Sequence, residues 1–411
     1  MTFEVVSKRN IEFHAQITDN QVTGFKQIDI ERTAVRLYRN GRIAIAGTTG
    51  TANFDELRNK AVSALDRGIT YPCEPSSGLK KQVIRGNELM SRQLFAKQCD
   101  DFMGTLRSQF PNFVFSNKIR MVQCEKSIRN ERELDLSFFD RYYSCEILFK
   151  RLGSKEIIDG ALHRSFRENP FEGMLALARE KLTAFDSECA LPHGKDFSVI
   201  WPEEDNELLY FFWKELNGRQ FATGTSLLSG KLGRQLFSTE FNLVHDSSAD
   251  CAAGSAFFDS EGVVTSNFQF PLIEKGVLRA PFTDKRTAQE FSLPLTGSAG
   301  GAYDEAPNVE GFMPRALATH QSLRDILGAK TGILIESASG GDFDSAGRFA
   351  SPVQCAYLHD GERILGRLPE FEVSGSVYDL FGRSFRGVCH NNPQGVGLGG
   401  FVVTNMEITR E

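Results

Sequence analysis

Polar and apolar positions alternate along residues 22–46. Val35, Leu37, Ile43 and Ile45 recur at period two, with Arg36 and Ala44 between them. That alternation predicts antiparallel strands with one buried face. Asn40-Gly41 separates the two runs, and such a pair predicts a tight hairpin because both residues tolerate positive φ. Ile11 already reads as strand. The period then changes. Phe54, Leu57, Ala61 and Leu65 recur at helical spacing behind a capping Asn53, with Asp55 and Glu56 favourably placed in the first turn. Residues 69–79 carry Pro72, Pro75, Ser76, Ser77 and Gly78 and read as a linker. A second helix is expected over 87–110 from Phe95, Cys99, Phe102, Leu106 and Phe110, with Pro111 stopping it. Strands over 113–126 and 134–152 and a helix over 171–185 follow, the helix burying Leu175, Ala178 and Leu182. Beyond His193-Gly194 the pattern predicts a strand over 197–201. Pro202 and Asp205 introduce a helix over 206–216. From 224 to 297 the chain reads as strands with glycine-bearing turns, then one short helix. Glu261-Gly262 and Lys275-Gly276 sit between apolar runs, where positive φ costs least at glycine. The strands flanking these turns are expected over 263–270 and 277–278, and another over 241–244.

These elements predict an α+β chain. A hairpin–helix unit spans 1–70, a helix–strand unit 80–190, and a larger strand-rich domain 195–411. The length of 411 residues suits two or three domains with a sizeable core. Net charge is −6 with no block of like charge, which argues against a general nucleic-acid binder. No apolar run is long enough to span a bilayer, and residues 1–10 do not read as a signal sequence. The eight Cys form no C-x-x-C pair, so a reduced, cytoplasmic setting is expected.

Candidate chemistry is sparse. The turn Gly47-Thr48-Thr49-Gly50 precedes a helix but lacks the lysine and spacing of a P-loop, and reads as a plain turn. None of the seven His pairs with another at helical i, i+4 spacing. His245-Asp246 ends a strand, where a metal ligand and a solvated imidazole are both open. His320 precedes a helix over 321–327. Cys99, in a helical stripe, reads as core. Cys389 and His390 are adjacent, so their side chains diverge in a strand and converge only in a loop.

The order of short words along the C-terminal half carries the most information. Residues 224–233 read Gly-Thr-Ser-Leu-Leu-Ser-Gly-Lys-Leu-Gly. Phe258-Asp259-Ser260-Glu261-Gly262 follows, then Gly276-Val277-Leu278, the run from Asp284 to Ala288, and Leu295-Thr296-Gly297-Ser298. This series resembles the TldD/PmbA family, the "modulator of DNA gyrase" proteins related to metallopeptidases. Asp344 to Phe349 resembles that family's D-x-x-G-D-F-S, with Arg348 and Ala350 replacing the acid and the final Ser. Residues 371–378 resemble its x-I-S-G-N strand, with Ser376 in place of Asn. Asn130-Glu131-Arg132-Glu133 departs from its N-S-x-G turn, and its N-terminal helix has no counterpart before Ile11.

The resemblance implies an α+β, peptidase-related protein that forms a dimer. In the family's peptidase-type subunit the helix matching 206–216 carries H-E-x-x-x-H, two zinc ligands and a general base. Here that helix contains no His, so the chain resembles the PmbA (TldE) branch. The family's C-terminal turn supplies a thiolate. Cys389 falls on that cysteine and Gln394 on its glutamine, while His390, Asn391 and Pro393 depart from it. The resemblance therefore implies a non-catalytic subunit with no cofactor of its own, zinc being expected only in a partner. It would pair as a homodimer or with a TldD-like subunit, and would bind peptide or shape the partner's cavity. Gly224, Thr225, Ser226, Ser229 and Gly230 are the candidate peptide contacts, although these glycine turns read more readily as serving only the fold. The alternative is a peptidase or hydrolase using Cys389 with a His, His390 being the candidate. No membrane or nucleic-acid partner is expected.

Overall fold

Two long hairpins build the N-terminal half. The strands Thr2–Thr18 and Gln21–Arg39 pair antiparallel, joined at Asp19 and Asn20 with φ of 47° and 67°. The strands Phe113–Asn130 and Leu134–Arg151 form the second hairpin. In this computed structural model, which describes residues 1–192, 194, 196–203, 206–248, 252–311, 314–390 and 400–410, the hairpins join edge to edge. Thr2–Thr18 pairs antiparallel with Phe113–Asn130. Arg42–Thr49 extends the sheet on one side, reached through the expected Asn40-Gly41 turn with φ of 51° and 70°.

The stretch read as a linker feeds both edges of this sheet. Ile69–Thr70 pairs with Arg42–Thr49, and Lys80–Arg85 runs parallel to Leu134–Arg151. Gly160–Phe166 completes eight strands. The units expected over 1–70 and 80–190 thus share one sheet, and no break in pairing separates them. The reason lies in 2–18, where apolar residues are too scattered to read as a central strand, although the segment is hydrogen-bonded on both sides.

Helix Phe54–Ala64 covers Val35, Leu37 and Ala44 through Leu57 and Ala61. Helices Arg92–Gln109 and Phe171–Phe185 cover another part of the sheet, the first capped by the Ser91 hydroxyl accepting from the Leu94 amide at 3.2 Å. Phe149 sits edge-on to Phe113 and Phe185, with centroids 5.8 Å and 5.5 Å away, an arrangement that aromatic quadrupoles favour.

The C-terminal sheet closes on itself. Gly332–Ala338, Asp196–Pro202, Phe401–Thr409, Phe371–Ser376 and Arg348–His359 pair in that order, and the last returns to the first. Helix Glu207–Glu215 packs into the same hydrophobic cluster. A smaller sheet holds Val277–Leu278, Gln269–Glu274, Leu243–Asp246 and Arg315–Ala316. The strand expected over 263–270 begins only at Gln269, because Ser266–Phe268 turns, with Asn267 and Phe268 at φ of 52° and 60°.

The word Phe258–Gly262 joins the two halves. Asp259 and Glu261 are buried. Asp259 accepts from the amides of Glu261 and Val263 at 2.9 Å each and of Ala299 at 3.0 Å. Tyr71 donates to the Glu261 carboxylate, whose other oxygen accepts the Lys285 amide at 2.8 Å. Buried Arg36 donates to the Ser260 carbonyl and lies 3.4 Å from Glu4. Ser76 donates to the Glu261 carbonyl at 2.7 Å and meets the Lys285 ammonium at 2.8 Å. Burial pushes both carboxyls above the ordinary range, and Asp259 adds to the rise at Glu261.

The sign of the pH effect follows. A carboxyl whose folded value is raised contributes its stability fully below its unfolded value and loses it as pH rises through the raised one. Tyr71→Phe removes a donor that favours ionised Glu261, so the loss becomes larger. Urea unfolding of Tyr71→Phe is expected to show destabilisation of about 1–3 kcal/mol, greater at about pH 8 than at about pH 5. An equal cost at both values would contradict the burial of Glu261 as an acceptor.

Candidate functional site

The helix that should carry metal chemistry begins with Asn206, whose side chain accepts from the amides of Leu208 and Leu209 at 3.0 Å and 3.1 Å. That cap turns Leu208, Leu209, Phe211 and Phe212 into the core. Phe212 meets Phe381 at 4.8 Å and Phe241 at 5.5 Å between centroids. These four side chains offer no donor to a cation, and the buried Glu215 carboxylate at the end of the helix accepts the Leu227 amide.

The end of this helix organises the glycine turns. Asn217 caps a helix the sequence did not announce, Gly218–Thr223, and Gly224 ends it at φ 83° in the left-handed conformation of a helix terminus. Ser226 is buried. Its hydroxyl donates to the Glu215 carbonyl at 2.6 Å and accepts the Leu228 amide at 2.9 Å. The Glu215 carboxylate accepts the Leu227 amide at 2.6 Å. Ser229 donates to the Phe221 carbonyl at 2.8 Å, and Gly230 takes φ of 70°. Thr225 is exposed and donates to the Gln220 carbonyl at 3.2 Å. Of the proposed peptide contacts, the two serines are thus turned into the turn's own hydrogen bonding.

Cys389 ends the strand Phe385–Cys389 and pairs with Phe401. Its thiol belongs to the hydrophobic cluster, and burial pushes it up to about 11. A neutral, enclosed thiol is a poor nucleophile and a poor metal ligand. His390 lies on the other side. Its Nδ1 is 3.1 Å from an Arg315 guanidinium nitrogen, and its Nε2 is 3.1 Å from the Ala316 carbonyl and 3.4 Å from the Glu203 carboxylate. The structure therefore does not bring Cys389 and His390 together. Asn391, Pro393, Gln394, His193 and Asp205 lie outside the described residues.

Glu203 was not legible in the sequence. Its side chain is 0% exposed, and neither oxygen has a hydrogen-bond donor among the described residues. Arg315 links His390 to Asp246, at 3.1 Å from that carboxylate. No local pattern signals this chain of groups, because four separate segments supply it.

His245 is buried rather than solvated, against one of the two possibilities for a strand-end imidazole. Burial lowers it to about 4, and its Nδ1 lies 2.9 Å from the Ser298 hydroxyl. His320, ahead of the helix Leu323–Leu327, lies 2.8 Å from the Thr319 hydroxyl through Nδ1. Among the described residues no group of three or more His, Cys, Asp or Glu side chains is placed to hold a metal ion. A zinc ion of the peptidase type does not fit the residues that are present.

Comparison with known proteins bears on this arrangement. The family model described as "PmbA/TldA metallopeptidase C-terminal domain" matches residues 199–410. A protein named "Metalloprotease" from Methanothermobacter thermautotrophicus is 28% identical over 418 residues, covering 93% of this chain and 87% of its own. The "Metalloprotease TldD homolog" of Haemophilus influenzae is 31% identical over 159 residues, 38% of this chain and 33% of its own. The crystal structure of TldE from Thermococcus kodakarensis shares the fold with a TM-score of 0.80 at 17% identity, covering 100% of this chain and 97% of that one.

Two outcomes test the local readings. Ser226→Ala leaves the Leu228 amide and the Glu215 carbonyl unpaired, and should cost about 1–3 kcal/mol in urea unfolding. Thr225→Ala, on an exposed side chain, should stay within about 0.5 kcal/mol of the parent. Equal costs would show that the turn does not depend on the buried hydroxyl. In alkylation mapped by mass spectrometry, Cys189 should react in the folded protein, being the one described cysteine that is not buried. Cys389 should react only after unfolding, and its prompt alkylation in the native state would contradict the enclosed thiol.

Proposed function

The chain belongs to the TldD/PmbA family, and on that premise we propose that it is a non-catalytic, PmbA/TldE-type subunit. It binds peptide, or forms part of the cavity wall, for a zinc-bearing partner of the same family. One observation carries the reading. The helix that bears imidazoles in a peptidase-type subunit here directs Leu208, Leu209, Phe211 and Phe212 into the core. The likeness in fold to TldE supports the same branch. The thiol alternative gains no support from the geometry, since the Cys389 side chain lies in the hydrophobic cluster and His390 turns away from it.

Assembly with itself or with a TldD-like subunit is part of the proposal, closed dimers being the commonest form of oligomer. No helix among the described residues is long and apolar enough to cross a membrane, and a cytoplasmic setting remains the expectation.

Light scattering on the chain, alone and mixed with a zinc-bearing family member, tests the assembly. The expected result is a dimer, with peptidase activity only in the mixture. Chelation should abolish that activity, and Cys389→Ser in this chain should leave it unchanged. Activity of the chain alone that survives chelation and disappears in Cys389→Ser would overturn the reading in favour of thiol chemistry.

A further inference from the structure

The register of the N-terminal sheet places Lys8 directly opposite Arg32 on one neighbouring strand and Lys126 on the other. Three cations therefore stand in one row across three strands. Directly opposed like charges destabilise a sheet. Two rows away on the same face, Glu4 stands opposite Arg36 and offsets its charge. The Lys8 row contains no acid, and neither Lys8 nor Arg32 has an ion-pair partner among the described residues.

This row borders a cavity of about 600 Å³ between the sheet and the C-terminal domain. The volume lies within the range usual for small-ligand sites, about 300–1,000 Å³. Val6, Ile128 and Phe258 give it apolar surface, and the segment Gly300 to Ala302 also lines it. Arg36 also lines it, and the Nε of that buried guanidinium has no acceptor among the described residues. Two acids line the space. Asp259 is spent on backbone amides, and Glu310 accepts the Gly301 amide at 2.5 Å.

We propose that this groove binds an acidic peptide, whose side-chain carboxylates lie against the Arg32–Lys8–Lys126 row. The proposal rests on the peptide-binding reading given above and names the class of peptide. A carboxylate would offset the opposed charges of Lys8 and Arg32, and the apolar surface suits neighbouring side chains. Glu310 in the lining of the same cavity disfavours a polyphosphate, whereas a peptide can present an N–H to it. The chain's net charge of −6 likewise disfavours a nucleic acid.

Fluorescence anisotropy on the full chain tests this. The probes are a labelled hexapeptide rich in Asp and Glu, the same peptide with Asn and Gln, and a labelled single-stranded oligonucleotide. The acidic peptide is expected to bind at least about tenfold tighter than its amide counterpart, with the difference shrinking as salt rises. The double variant Lys8→Gln/Arg32→Gln should close that gap, and should melt at or above the parent temperature because the opposed charges are gone. Equal binding of the two peptides would sink the groove and leave the peptide reading standing. No binding of either peptide would end both. Oligonucleotide binding that the double variant abolishes, without a preference for the acidic peptide, would overturn the assigned ligand class. A variant that melts below the parent would contradict the repulsion on which the assignment rests.

Discussion

The junction at Asp259 and Glu261 is the constraint on which the two halves depend. Two carboxyls are taken out of water, which is tolerable only if every oxygen finds a donor or a charge. The donors come from different parts of the chain: Tyr71 at the end of the first unit, the Lys285 amide at a helix start, and the amides of the turn itself. Arg36, from the centre of the N-terminal sheet, reaches the intervening Ser260 carbonyl. Moving the sheet relative to the C-terminal domain would strand these groups together, so the junction fixes the walls of the adjoining cavity.

The C-terminal domain keeps its architecture while the positions a metal would need hold other groups. The helix Glu207–Glu215 is filled with Leu and Phe, so its capping and burial serve packing. The cysteine that resembles a ligand is enclosed in hydrocarbon, and the adjacent imidazole instead meets Glu203, Arg315 and the Ala316 carbonyl. Among the described residues no group of three or more His, Cys, Asp or Glu side chains is placed to hold a cation, which accords with the proposed subunit serving assembly and binding.

Much of the fold was legible because its signals are local. Asn40-Gly41 gave its hairpin, and the helix over 171–185 follows from Leu175, Ala178 and Leu182. The central strand Thr2–Thr18 was only partly legible, since its long-range partners and not its own alternation hold it. Helix Gly218–Thr223 is too short to show a period, and its one local signal is the cap at Asn217. The candidate site was less legible. Glycine turns announced tight backbone but not that the Ser226 hydroxyl faces inward, which depends on Glu215. The cation row is invisible until the register of three strands is known, and Glu203 meets His390 only through tertiary closure.

The most direct test of the central claim is calorimetric titration of the metal-free chain with zinc at neutral pH. The account predicts no saturable binding near one equivalent, because the helix Glu207–Glu215 supplies no imidazole and the Cys389 thiol is held neutral. One equivalent of tightly bound zinc, lost on Cys389→Ala, would contradict it.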